Sequence, residues 1–167
     1  MPNDAAPTAG HLPHLRFDTA QHAPRRQFEA WREAVGVTHD IAAAGRAEHE
    51  GLAATSDVWR LGQAVVSLRQ FPAQHFARPA RRARVDGLDQ YSLLLMRAGR
   101  WSGAAGDAAL MLAPGEVGLF DLARPVANQV TANSSLRLML PRDAVDALAP
   151  GALAVAHGAR LGGGAGA

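Results

Sequence analysis

The chain has 167 residues, 48% of them hydrophobic and 19% charged, and no cysteine. That length holds one domain with a real core and is too short for two of ordinary size, while zero cysteine excludes disulfides, thiolate metal sites and a cysteine nucleophile together. A pI near 10.3 suggests a nucleic-acid binder, yet the formal net charge is only +2; every basic residue is arginine and only one tyrosine is present, so little titrates between histidine and arginine and the high pI reflects composition.

In chain order, the N-terminal MPNDAAPTAGHLPH has no basic stretch followed by an apolar one, and no apolar run approaches a membrane span. A cytoplasmic location with no membrane partner is expected. Residues 1–15 read as a flexible arm, and His11 and His14 within it do not make a metal site. Pro24 opens a helix whose Phe28, Trp31 and Val35 share one face, and Gly36 stops it. Strands are expected over 37–41, 48–54, 59–61 and 63–71. In the last, Ala64, Val66 and Leu68 point one way and Gln63, Ser67 and Arg69 the other, the alternation of a half-buried strand. The basic cluster Arg78, Arg81, Arg82 and Arg84 reads as a solvated loop and charged edge; if one of these binds a ligand, a carboxylate suits the arginine fork better than DNA does.

Residues 89–125 hold the strongest pattern: an apolar strand over 90–98, turn residues at Gly99 and 103–107, a second apolar run over 108–113, and Pro114-Gly115 before a third over 117–122. Proline then glycine suits a type II turn and predicts a sharp reversal. The ordered series Asp89, Tyr91, Leu93, Gly99, Leu112, Pro114, Gly115, Glu116, Asp121, Arg124 and Pro125 resembles the effector-binding half of AraC-type transcription regulators, the AraC-binding-like domain. The likeness extends more loosely from residue 17 to 149. It implies a mainly β fold, a cupin-like or jelly-roll barrel with one N-terminal helix and a short C-terminal helical element. The resulting division is an arm over 1–15, the barrel domain over 16–149, and a linker stump over 150–167 with the DNA-binding domain absent.

After the meander, 126–131 and 134–140 make a last hairpin in which Leu136, Leu138 and Leu140 share a face, Asp143 lies near a helix start, and 152–157 reads as a second helix. In the resembled family, linker and dimerisation helices begin here. Cupin enzymes carry paired histidines before the turn and a third on a later strand, but no histidine occurs here between His75 and His157. Neither a catalytic residue, a metal nor another cofactor is therefore expected. Glu116 and Asp121 have simple turn roles, with Asp121 bonding to backbone or to Arg124. Tyr91, Leu93, Leu95 and Arg97 share one side of their strand. If that side faces the cavity, Tyr91 and Trp101 stack on an effector and Arg97 pairs with its carboxylate, with Arg78 a further candidate; alternatively, the aromatics are core and Arg97 is rim.

The expectation is a non-enzymatic ligand-sensing and dimerisation domain. Its partners are a small-molecule effector, carboxylate or aromatic, and a second copy of itself; DNA is reached only through another domain. The alternatives are a cupin-type enzyme with an atypical metal site and a purely structural dimerisation barrel filled by side chains.

Overall fold

The structure, a computed structural model, describes residues 12–45, 50–151, 153 and 155–162. The strands, in chain order, are β1 His14–Asp18, β2 Asp40–Ala43, β3 Thr55–Leu61, β4 Ala64–Phe71, β5 Gln74–Arg78, β6 Gln90–Ala98, β7 Trp101–Ala105, β8 Ala108–Leu112, β9 Val117–Asp121, β10 Val126–Val130, β11 Asn133–Pro141 and β12 Ala159–Leu161. They pair as one sheet in the order β1-β3-β4-β11-β6-β9-β12 and a second in the order β2-β5-β10-β7-β8. From β4 to β7, and again from β9 to β11, successive strands change sheets, so β11 inserts between β4 and β6 while β10 inserts between β5 and β7. This is the crossing of a jelly roll, and it closes the two sheets into a cupin-like barrel.

Local chemistry explains the tight reversals. At 113–116 the Glu116 amide donates to the Ala113 carbonyl at 3.1 Å, and Gly115 has φ +87°, which a side chain disfavours; the expected turn forms where expected. Helix α1, Pro24–Val35, begins on its proline and buries Phe28, Trp31 and Val35. Trp31 packs on Phe71 with ring centroids 5.4 Å apart, and its indole N–H donates to Gln74 Oε1 at 3.0 Å, so the helix seats on β4 and β5 through both apolar and polar contacts. A short 3-10 turn, Thr19–Gln21, leads into it. Buried Thr19 donates to the Leu52 and Ala54 carbonyls and accepts from the Ala54 amide.

Several boundaries differ from the sequence reading. The sheet already begins at His14, paired with Trp59, inside the stretch expected to be an arm; residues 1–11, including His11, lie outside the described residues. Residues 51–54 have no regular structure, residues 48 and 49 of the strand expected there lie outside the described residues, and the strand expected over 59–61 is present but begins earlier, as β3. Arg78 ends β5, and the basic segment after it winds into helix α2, Ala80–Val85, rather than an open loop. Helix α3, Arg142–Leu148, follows β11 as expected. No helix forms in the described part of 152–157. Instead the Gly158 amide donates to the Leu119 carbonyl at 2.8 Å and 159–161 joins the barrel as β12, so part of the expected linker stump belongs to the sheet. No helix among the described residues is long and apolar enough to cross a membrane.

The largest difference is one of facing. Ser67, Arg69 and Phe71 of β4, Leu94 and Met96 of β6, and Asn133, Ser135 and Arg137 of β11 all line the space between the sheets. Their alternating neighbours Val66, Leu68, Leu93, Leu95, Leu136 and Leu138 therefore occupy the outer face, each only partly buried. On β4 and β11 the polar side of the alternation faces in.

A cationic cavity inside the barrel

The residues between the sheets define a small cavity, about 30 Å³, room for a water or two. One wall comes from Ser67, Arg69, Asn133, Ser135 and Arg137 on the seven-stranded sheet. Facing it, across the barrel, are Phe76, Trp101, Asn128 and Val130 of the other sheet, with Phe71, Leu94 and Met96 completing an apolar surround. A second void of about 10 Å³ shares Trp101, Asn128 and Arg137 with the first and is otherwise walled by His39, Phe120, Leu122 and Val126. Arg137 thus stands between the two spaces.

Strand register places the arginines. Arg137 is paired with Ser67, and Ser135 with Arg69, so the two guanidinium-bearing residues are diagonal neighbours on one face, about 7 Å apart at Cβ. Neither has a carboxylate partner among the residues lining the cavity, none of which is acidic. Arg69 Nε is buried without a hydrogen bond, as are Ser67 Oγ and Asn133 Oδ1 beside it. Burial, and then the charge of Arg137, pull Arg69 down to about 9; burial brings Arg137 down to about 10. His39 is likewise held well below its usual value, by burial first and then by Arg137 and the other nearby arginines, which keeps its ring neutral. Burial is the leading cause in all three, and although both arginines keep some access to solvent, no acidic side chain lines the cavity beside them.

The residues singled out in the sequence are distributed differently. Trp101 is 2% exposed and lines the cavity, packing on Phe120 at 5.3 Å between centroids. Tyr91 and Arg97 lie on the outer face of β6, with Leu93 and Leu95, because Leu94 and Met96 take the inward positions; the condition set for their role in the cavity is not met. Tyr91 is nonetheless fully buried, since Arg142 at the start of α3 lies over its ring, 4.4 Å from the centroid, while pairing with Asp89 and Asp121. Arg97 is exposed. Arg78 has no accessible surface, and its guanidinium is consumed internally: it donates to the Leu122 carbonyl at 2.6 Å and the Thr38 carbonyl at 2.8 Å, and grips both oxygens of Asp86 at 2.6 and 2.8 Å. It is a clamp between β5, the segment before β2 and the end of α2, with no face left for a ligand. Asp121 bonds to the Ala123 amide and to the Arg142 guanidinium rather than to the Arg124 side chain.

The cavity residues that sequence reasoning passed over are Arg69 and Arg137, with Ser67, Asn128, Asn133 and Ser135. A signal for them exists. On β11 arginine follows asparagine and serine at every second position while the opposite side is leucine, an unusual solvent face; on β4 the signal is weaker, Ser67 and Arg69 sharing their side with Val65 and Phe71. Among the described residues no three His, Asp or Glu side chains converge as a metal site.

A two-sheet barrel of this kind is a cupin-like fold, and solved structures share it. The AraC-like transcriptional activator CuxR aligns with 90% of this chain at a TM-score of 0.82 and 24% identity. This chain spans 55% of the CuxR chain. Much weaker likenesses include a cupin-2 domain protein from Rhodospirillum rubrum, TM-score 0.40 and 16% identity over 66% of this chain and 80% of that one. A cupin superfamily protein from Desulfitobacterium hafniense gives 0.38 and 13% over 53% and 76%. No protein-family model matches the chain, and no curated protein does. The likeness to an AraC-type regulator read from residues 89–125 is thus met at the level of fold.

Proposed function

We propose that this chain is the ligand-sensing domain of a transcription regulator, a non-enzymatic cytoplasmic barrel that binds a small effector between its sheets and pairs with a second copy of itself. The observation that carries the reading is the pair of interior arginines without a counter-charge. A barrel that only had to be stable would be filled with aliphatic side chains, because uncompensated buried cations cost stability. The fold shared with an AraC-like activator supports the regulatory setting. DNA contact is assigned to a separate reader domain, since Arg78, Arg82 and Arg142 of this barrel are engaged in internal ion pairs. The apolar outer strip of Val66, Leu68, Leu93, Leu95, Leu136 and Leu138 is the surface we assign to the second copy. Ligand and dimer would be coupled by a difference in effector affinity between the two association states.

One rival has an observation in its favour. A cavity of about 30 Å³ holds no organic molecule as it stands, as a purely structural barrel requires. The sensing reading therefore needs the arginine side chains to move aside on binding. Thermal unfolding against a panel of small acids, amines and sugars, with and without chelator, tests it: a stabilisation by one ligand class, unaffected by chelator, is expected. Stability or an activity lost on chelation would overturn it in favour of a metalloenzyme, and no response to any ligand would favour the structural barrel. Leu136→Glu, read by sedimentation equilibrium, should convert dimer to monomer.

A further inference from the structure

Resting on the reading of the barrel as a ligand site, we infer that the effector is a small organic dianion with a flat apolar body, its two acidic groups taken by Arg69 and Arg137 and its body held against Trp101, Phe71 and Phe76. Three features of the cavity lead there. Arg69 and Arg137 come from adjacent strands in diagonal register and both line the cavity, so one wall of it carries two positive charges. Beside them stands a donor with no protein partner, the Ser67 hydroxyl, on a residue 1% exposed. A hydroxyl at Ser67 can donate to an oxyanion, and no acidic side chain in the cavity competes for either arginine. Across the barrel, Trp101 and Phe76 offer ring surface, which suits a planar body and gives a sugar or a flexible aliphatic chain less contact.

The small volume narrows the class further. Arg137 separates the main cavity from the void beside His39, so drawing its guanidinium toward an acidic group joins the two spaces along Trp101 and Asn128. Joined, the two spaces still hold only a few waters, so binding of a ring requires both guanidiniums to swing out of the cavity with the ligand's acidic groups. A neutral molecule of the same shape has no such means, and would have to displace two cations without compensating either.

The test uses the whole chain and a series of defined probes: phthalate, isophthalate and terephthalate, which hold two carboxylates at increasing separation on one ring; benzoate, with one; isophthalamide, with none; and succinate and sulfate, dianions without a ring. Affinity is measured by titration calorimetry and by the change in tryptophan fluorescence, with Trp101→Phe identifying the part that comes from the cavity. At least one benzenedicarboxylate should bind about tenfold or more tighter than benzoate, and isophthalamide should not bind, because each charge-assisted hydrogen-bonding group contributes roughly a factor of ten or more. Arg69→Gln and Arg137→Gln should each reduce that ligand to the level of benzoate. Near-ultraviolet circular dichroism checks that both variants keep the native packing, and the wild-type probe series decides the matter even if one variant does not. The inference is overturned, with the sensing reading intact, if benzoate or isophthalamide binds as well as the dicarboxylates, if succinate or sulfate matches them, or if binding survives both substitutions. If none of the probes, nor any member of the wider panel of acids, amines and sugars, binds at all, both fail.

Discussion

Replacing Asp86 by asparagine removes the one carboxylate among the described residues that neutralises Arg78, a guanidinium with no accessible surface, and leaves the side-chain shape almost unchanged. The hydrogen bond from Arg78 is the main reason Asp86 titrates at about 2 in the folded protein, against about 4 in an unfolded chain. Asp86 is itself solvent-exposed, so water screens much of that difference, but stranding the buried Arg78 cation costs about 3–5 kcal/mol in comparable cases, and Asp86→Asn should destabilise by about 3 kcal/mol. For a domain of this size the melting temperature should fall by about 10 °C. The sign with pH follows from the depressed value. The stabilisation is complete above about pH 5 and is lost as pH falls through about 4 toward 2. Urea unfolding at a series of pH values measures both quantities, and the wild type should show an acid-limb slope that the variant lacks. Replacing both partners, Arg78→Met with Asp86→Leu, should recover only part of the loss, since no charge is left unpaired but the Leu122 and Thr38 carbonyls lose their donor. A loss under about 1 kcal/mol in Asp86→Asn, with the acid slope unchanged, would refute the assignment of Arg78 as an internal clamp.

Other substitutions test the site and its frame. Arg137→Met should raise the unfolding free energy of the unliganded protein by about 1–3 kcal/mol, because it replaces an uncompensated interior cation by an apolar side chain of similar length; a loss of stability in chemical denaturation would contradict that account. Thr19→Val removes a buried hydroxyl that bonds the Leu52 and Ala54 carbonyls and the Ala54 amide, and should cost about 2–3 kcal/mol by the same measurement. Gly103→Ala would put a Cβ 2.2 Å from the Ala127 carbonyl oxygen and 2.6 Å from Asn128 Cα, so β7 and β10 must part locally. Destabilisation of about 2 kcal/mol or more, with faster amide exchange on β10 than in the wild type, is the expected result.

Much of the architecture is legible from local chemistry. Pro24, the Phe28-Trp31-Val35 stripe and Gly36 delimit α1, and Pro114-Gly115 makes its reversal, because capping and turn preferences act within a few residues. Boundaries were harder where distant partners decide them. His14 enters the sheet only because Trp59 lies opposite, and 159–161 forms a strand only because β9 offers an edge. The basic cluster illustrates the same limit for the site: nothing near Arg78 announces that Leu122, Thr38 and Asp86 will surround it.

What the sequence by itself determined is periodicity: β4, β6 and β11 each have two distinguishable sides, because side chains alternate along an extended backbone whatever the fold around it. Which side is the inside was decided only by tertiary structure. Closure of two sheets around a shared interior turned Arg69, Arg137, Ser67 and Asn133 inward and left Leu93, Leu95, Leu136 and Leu138 outside, against the rule that apolar residues seek the core. The physical reason is that burial is a property of the space between the sheets. α1 and the ring residues from both sheets supply the apolar packing around that space, so its polar lining is not needed to hold the sheets together.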